Sequence, residues 1–165
     1  MKADEEALTA GRLRELLDYD PDTGVLTNKV ARGNRKLGDV VGCPHSQGYL
    51  RVVINRAWYY AHRLVWLHTY GAWPANHIDH INGIRTDNRV VNLREANNME
   101  NAENRRKPKH SNETGLLGVS LEAGKFRGRI SSGGKKKHLG YYSTKEEAYT
   151  AYISAKRELH PFGTL

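Results

Sequence analysis

An acid and an imidazole stand side by side in this chain at Asp79 and His80, and two amides follow at Asn92 and Asn101. A carboxylate can bind a hard cation, and a neighbouring histidine can remove a proton from water. The later amides can brace a loop and add an oxygen ligand. Together these residue types suit hydrolysis of a phosphodiester, in which a base activates water and a cation stabilises the charge that grows on phosphate.

The neighbours of this pair extend the pattern. Apolar Ile78 and Ile81 flank the acid and the histidine, Leu93 follows the first amide, and a polar helix comes next. The whole stretch resembles the HNH endonuclease family, and most closely its phage and intron-homing branch. That resemblance implies a ββα-metal finger, in which a strand carries the Asp-His pair, a loop follows, and a helix carries the last ligand.

The resemblance also implies a role for each residue. Asp79 would be a metal ligand and His80 the general base that activates water. Asn92 would tie the loop together and orient the histidine. His77 would either contact the scissile phosphate or cap a strand.

The last position of the pattern carries an asparagine where many HNH proteins have a histidine. Asn101 would join Asp79 as a metal ligand, with Asn97, Asn98 and Asn104 as alternatives for the same role. Two oxygen ligands favour Mg²⁺ or Mn²⁺ over Zn²⁺, which prefers nitrogen and sulfur. The resemblance therefore implies a hard divalent cation as cofactor.

The residues before the motif predict a scaffold of short strands and helices. Apolar spacing predicts a helix over Leu8–Leu17, and alternation predicts a half-buried strand over Leu50–Ile54. A second helical pattern starts near Tyr60 and stops at a glycine. In that helix His62 and Arg63 either approach DNA or form a helix surface packed against its neighbours.

The distribution of charge favours a nucleic-acid partner. The 165 residues carry a formal net charge of +8. Residues 1–101 hold 13 lysines and arginines against 12 acids, whereas residues 102–165 hold 13 against 6. The excess positive charge therefore lies after the proposed catalytic residues, as expected if the second part of the chain grips phosphates.

A basic, apolar-poor stretch follows the motif and is broken by a proline. It predicts a linker over residues 105–113. Its cations either follow a DNA groove or lie on a solvated tether: Arg105, Arg106, Lys107 and Lys109.

Residues 114–165 predict three short strands followed by a helix. Gly-containing turns separate the strands, and Ser143 with Glu146 predicts a capping box at the helix start. The pattern resembles the APETALA/ethylene-response-factor DNA-binding domain, which implies a three-stranded sheet lying in the major groove with a helix behind it. The first strand carries Ser120 and Glu122 where plant members have more arginines.

The middle strand of this module alternates cationic and apolar residues. Lys125, Arg127 and Arg129 would share one face, suited to guanine and phosphate, while the other face covers the helix. A second group of cations, predicted to meet the DNA backbone or to form a solvated turn, is Lys135, Lys136 and Lys137.

These features predict an α+β chain with two modules. Residues 1–104 would form a ββα-metal (HNH) finger on a small strand and helix scaffold, and residues 114–165 a three-stranded antiparallel sheet packed on one helix. The single cysteine, Cys43, excludes an intrachain disulfide and a Cys₄ zinc cluster. The charged N-terminus predicts no signal peptide, and no stretch reaches transmembrane length, so we expect a cytoplasmic protein that lies with the nucleoid or in a phage-infected cell.

The function expected from the sequence is metal-dependent hydrolysis of double-stranded DNA. The enzyme would be a site-preferring nicking or homing-type endonuclease, acting as a monomer without a membrane partner. The alternative is a sequence-specific DNA-binding regulator with an inactive HNH centre. A third hypothesis, an RNA-binding protein, has less support because the sequence contains no visible RNA-recognition signature.

Overall fold

The computed structural model describes residues 7–31, 33–104, 108 and 110–160. The chain divides into two compact units, Met1–Glu95 and Ala96–Leu165. The predicted module boundaries, with a linker at 105–113, stay predictions. Among the described residues no helix combines the length and the apolar character needed to cross a membrane.

The first unit begins with a short helix and a hairpin. Helix α1 spans Ala10–Leu16, and its N-terminal amides are capped by Thr9, whose side chain accepts from Arg12 N. Strands β1 (Leu17–Asp20) and β2 (Val25–Asn28) pair antiparallel directly after it. The helix predicted near Leu8–Leu17 is therefore present, ending where the chain turns into β1.

A three-stranded sheet and the longest helix of the first unit come next. The sheet has the order β3-β4-β5 and is antiparallel, with β3 at Cys43–Pro44, β4 at Leu50–Ile54 and β5 at Ala57–Tyr60. Helix α2, Ala61–Tyr70, starts directly after β5 and ends at Gly71 in the left-handed conformation. Buried leucines, valines and isoleucines from these elements and from α1 form one core.

The rest of the first unit carries the proposed catalytic segment. Strands β6 (His77–His80) and β7 (Leu93–Ala96) form a two-stranded sheet, and a loop with a short 3₁₀ turn at Val90–Asn92 joins them. Ile78 and Leu93 belong to the buried core. Their burial fixes both strands to the scaffold, so the residues that follow each of them have fixed positions.

The second unit opens with the short helix α3, Asn98–Glu103, and contains a three-stranded antiparallel sheet of order β10-β9-β8. The strands are β8 (Val119–Glu122), β9 (Lys125–Ser132) and β10 (Lys135–Tyr142), and helix α4 (Lys145–Leu159) contacts all three. Two-residue turns with positive φ join the strands, at Ala123-Gly124 and Gly133-Gly134. Ile130 and Tyr152 form the centre of the core between sheet and helix.

The start of helix α4 corrects one sequence prediction. The capping box is formed by Thr144 and Glu147, not by Ser143 and Glu146. Both pairs have the same spacing, so the pattern alone does not choose between them. The second pair closes because Thr144 has the extended conformation of an N-cap and accepts from Glu147 N. The described residues form a mixed α/β protein built from small sheets and four helices.

Candidate active site

Strand β6 delivers Asp79 and His80 as neighbours into the interior of the first unit. Asp79 is 7% exposed and His80 is 3% exposed. Ile78 anchors the strand in the core immediately before them. The pair is therefore held by a packed strand, not displayed on a mobile surface.

The imidazole of His80 is oriented by a buried amide. Its Nε2 lies 3.2 Å from Oδ1 of Asn88, a residue that is only 2% exposed. A carbonyl oxygen only accepts hydrogen bonds, so this contact favours the tautomer that has the proton on Nε2 and the lone pair on Nδ1. This tautomer makes Nδ1 the atom of His80 that can take a proton from water.

Asn88 itself is fixed by the N-terminal hairpin. The hydroxyl of Tyr19 donates to Asn88 O at 3.2 Å and accepts from Val90 N at 2.8 Å. Gly24, at φ +76°, lets the β1–β2 turn approach so closely that a Cβ there would lie 2.5 Å from Arg89 N. The scaffold therefore sets the position of the residue that contacts the proposed catalytic histidine.

Asn92 closes the loop that leaves strand β6. Its Oδ1 accepts from Asn82 N at 2.9 Å, and its Nδ2 donates to Asp87 O at 2.8 Å. The backbone adds a third link, from Ile81 N to Asn92 O at 2.8 Å. Asn92 thus ties the two ends of the loop together, while the amide bonded to the His80 ring is Asn88, which the sequence analysis did not single out.

The loop itself carries one acid, Asp87, and this acid is held ionised. Hydrogen bonds from Arg89 lower the pKa of Asp87 to about 2, and Asn82 also donates to its carboxylate. The charge on Asp87 is thereby committed to holding the loop. Asp87 is a structural acid of the loop, distinct from the acid next to His80.

The structure favours the second of the two alternatives for His62, packing against its neighbours. His62 is buried, and its ring lies in contact with the rings of Tyr49, Tyr60 and His80. The centroid distance to the His80 ring is 5.2 Å. Burial lowers the pKa of His62 to about 3, so it is neutral next to the proposed base.

Burial also sets the charge state of His80. It lowers the pKa of His80 from its usual value, while the hydrogen bond to Asn88 acts in the opposite direction. A base must be deprotonated before it can accept a proton. His80 is therefore neutral at neutral pH, the state that its proposed role as a base requires.

The carboxylate of Asp79 contacts an arginine that the sequence analysis did not name. Nε and Nη2 of Arg94 both lie near Asp79 Oδ2, at 3.1 and 2.9 Å. Pairing with Arg94 on strand β7 balances the negative charge of a buried carboxylate. Among the described residues no three histidines, cysteines or acids are grouped to hold a metal ion.

The donor chemistry at Asp79 nevertheless fits one class of cation. Mg²⁺ is commonly bound by one or two carboxylates and completes its sphere with water and substrate phosphate. A single buried carboxylate beside a histidine base meets that requirement.

The proposed final ligand lies in the second unit. Asn101 is exposed on helix α3. Of its three alternatives, Asn97 is the N-cap of that helix and accepts from Met99 N and Glu100 N, Asn98 is exposed, and Asn104 is buried. Asn97 is thus committed to capping, which leaves it less suited to a metal.

The structure describes the DNA-binding candidate of the first unit but not those of the linker. His77 is the exposed first residue of strand β6. The four linker cations lie outside the described residues: Arg105, Arg106, Lys107 and Lys109.

The predicted cationic face of the second unit is present on strand β9. Lys125 and Arg129 are exposed, and Gly128 and Ile130 are buried toward helix α4. Arg127 is on the same face as the other two cations, but Nη1 donates to Glu122 Oε2 at 2.8 Å. One of the three cations is therefore paired with an acid of strand β8.

The register of strand β10 separates the three lysines. Lys136 pairs with Ser131 and shares the face of Arg129, whereas Lys135 and Lys137 pair with Ser132 and Ile130 and alternate to the other face. All three lysines are exposed. Only the middle one extends the cationic face of the sheet.

Comparison with known proteins gives one match. Residues 59–103 match the model of the HNH endonuclease family. This segment runs from strand β5 through α2, β6, the loop and β7 to the end of α3, and contains Asp79, His80, Asn88 and Asn92. The match supports a nuclease. No curated protein and no solved structure shows a significant match to the chain.

Proposed function

We propose that this chain is a divalent-metal-dependent DNA endonuclease. The observation that carries the proposal is the buried pair of Asp79 and His80, in which the contact of Asn88 with Nε2 favours Nδ1 as the base. Both residues lie in the segment that matches the HNH family. A ββα-metal finger formed by β6, β7 and α3 is the corresponding arrangement, and it is part of the proposal.

In this proposal His80 removes a proton from a water molecule as its oxygen attacks phosphorus. Asn88 keeps the ring in the tautomer that presents a lone pair, and burial keeps the ring neutral before the reaction. Asn92 holds the loop so that both residues stay in place. The P–O bond to the leaving oxygen breaks as the new bond forms.

Asp79 would hold the cation, Mg²⁺ or Mn²⁺, with Asn101 as the predicted second ligand on the strength of the sequence pattern. The cation, when bound, stabilises the negative charge that develops on phosphate and on the leaving oxygen. Arg94 donates to Asp79 Oδ2 and would compete with a cation for that oxygen. Removal of Arg94 should therefore change the metal concentration needed for cleavage.

The second unit would hold the substrate. Its sheet presents Lys125, Arg129 and Lys136 on one face, in the manner of an APETALA/ethylene-response-factor-like domain on double-stranded DNA. The linker cations and His77 add proposed phosphate contacts. With Arg127 paired to Glu122, we expect fewer base-specific contacts than the sequence suggested.

One base and one cation serve one strand at a time, so a single copy would nick duplex DNA. A homing-type double-strand break would need a second copy or a second visit. We propose a monomer that works in the cytoplasm, at the nucleoid or in a phage-infected cell. Its target site would be set by the sheet of the second unit.

A DNA-binding regulator without cutting activity is the second candidate function. One observation favours it: the carboxylate needed for a cation is already paired with Arg94. A regulator would keep the cationic sheet face and bind DNA equally well with or without a divalent cation.

Incubation with supercoiled plasmid separates the two candidates. The endonuclease produces nicked circles with Mg²⁺ and none with EDTA, and Asp79→Ala abolishes the product. The regulator binds the plasmid and leaves it supercoiled in every condition. Arg94→Gln serves as the companion variant, because it removes the competing cation and leaves Asp79 and His80 intact.

A further inference from the structure

A long part of the first unit contains no acidic residue. Between Asp39 and Asp79 the sequence has arginines and histidines but no aspartate or glutamate. The near-neutral charge of the N-terminal half therefore hides a local excess of positive charge. Strands β3, β4 and β5 and helix α2 all lie inside this acid-free segment.

The β4–β5 hairpin concentrates that charge on its outer face. Val52, Ile54 and Tyr59 are buried in the core, which turns Arg51 and Trp58 to the opposite face. The guanidinium of Arg51 lies over the Trp58 ring, 4.5 Å from its centroid, and Trp58 remains 46% exposed. A large exposed aromatic ring with a stacked cation is a surface on which sugars and bases can pack.

The tip of this hairpin is unusual. Its two turn residues, Asn55 and Arg56, have φ of 50° and 67°. A type I′ turn normally places glycine at the second of these positions, because a side chain there is strained. The chain instead places a cation at the tip. Neither Arg51 nor Arg56 forms an ion pair with a carboxylate in the described part of the chain.

The base of the hairpin adjoins the proposed catalytic histidine. Tyr60, the last residue of β5, stacks on His62, whose ring in turn contacts His80. Tyr49 contacts both histidines and carries Arg85 over its face at 4.9 Å. At about 3.3 Å per residue, the backbone from Arg56 at the tip to Tyr60 at the base spans about 13 Å. This length corresponds to about four nucleotides of one DNA strand.

We propose that the outer face of the β4–β5 hairpin binds the DNA that flanks the scissile phosphate. Arg56 and Arg51 contact phosphates, and the Trp58 ring packs against a sugar or base. This inference rests on the proposed function, since it places the flanking DNA next to His80. It adds a DNA contact in the first unit to the holding surface proposed for the second.

Binding of the full chain to a fluorescein-labelled duplex in EDTA, titrated with salt, tests the proposal without cleavage. Arg56→Gly should lower DNA affinity and reduce the log–log salt slope by about 0.9. The ratio of wild-type to variant affinity should therefore fall about 3.5-fold as salt rises from about 50 to about 200 mM. Its melting temperature should equal or exceed that of the wild type, because glycine relieves the positive φ. Arg12→Gln, which removes the same charge from helix α1, is the matched control and should bind like the wild type.

Tryptophan emission gives an independent readout. Trp58 is the exposed tryptophan, whereas Trp66 and Trp73 are half-buried, so DNA should quench emission in the wild type and much less in Trp58→Phe. A wild-type salt slope in Arg56→Gly, or equal quenching in Trp58→Phe, would overturn the proposal. If the proposed endonuclease function is wrong, the same wild-type preparation shows no metal-dependent nicking. If the wild type does not bind DNA at all, both the endonuclease function and the hairpin contact are overturned.

Discussion

Replacement of Asn88 tests how the structure prepares His80 for catalysis. In Asn88→Ala the ring Nε2–H loses its acceptor at 3.2 Å in a site where the replaced residue was only 2% exposed. A buried donor without a partner costs about 1–3 kcal/mol. At about 2–4 °C per kcal/mol, the melting temperature of this chain should fall by about 2–12 °C.

The same change should slow cleavage. Without Asn88 the ring is no longer held in one tautomer or one orientation, and a misplaced catalytic group typically costs about 10²-fold. We therefore expect kcat to fall about 10- to 100-fold, with little change in DNA affinity. Single-turnover cleavage of a labelled duplex, with binding measured in EDTA, separates the two effects.

Asn88→Asp is the matched variant, because a carboxylate still accepts from Nε2. Its negative charge favours the imidazolium and raises the pKa of His80. Since the base acts only when deprotonated, the acidic limb of the pH profile of kcat/KM should move to higher pH. In the wild type that limb should lie at a lower pH than for a solvent-exposed histidine, because burial lowers the pKa of His80.

Two results would exclude this role of Asn88. One is an Asn88→Ala enzyme with the wild-type cleavage rate at neutral pH. The other is an Asn88→Asp enzyme whose acidic limb stays in the wild-type position. Either would mean that the bond between Asn88 and His80 does not set the state of the base.

Three further variants test the second unit. Gly118→Ala should lower the free energy of unfolding by about 2–4 kcal/mol in calorimetry. Gly118 has φ +71°, and a Cβ on it would lie 2.0 Å from a buried tyrosine ring. An unchanged melting temperature would contradict this packing. Glu122→Gln should release Arg127 and raise the salt slope of DNA binding by about 0.9, whereas an unchanged slope would show that Arg127 does not reach phosphate. Asn101→Ala should weaken cleavage and be partly rescued by added Mn²⁺, and full activity at low metal would exclude Asn101 as a ligand.

The sequence predicted those elements whose signals are local. Gly71 marks the end of α2, as the sequence predicted, because a C-cap glycine acts within one turn of the helix. The face of strand β9 followed from simple alternation. The turns of the three-stranded sheet in the second unit followed from their glycines, whereas the Asn55-Arg56 turn of the β4–β5 hairpin has none.

The contacts that prepare the site depend on long-range packing and were not predicted. Asn88 is one of several asparagines in an irregular loop, and no periodicity distinguishes it from the others. Arg94 meets Asp79 only because β6 and β7 share a sheet. The burial of His62 could have been predicted from the sequence. His62 lies three residues before the buried Val65 and therefore on the inward side of helix α2.

We propose His80 as the base of a metal-dependent DNA endonuclease. The most direct test measures cleavage and binding of one duplex by the wild type and by His80→Ala at neutral pH with Mg²⁺. We expect a cleavage rate about 10²–10⁴-fold lower in His80→Ala, with DNA affinity close to that of the wild type. Cleavage by His80→Ala at the wild-type rate would contradict this role of His80.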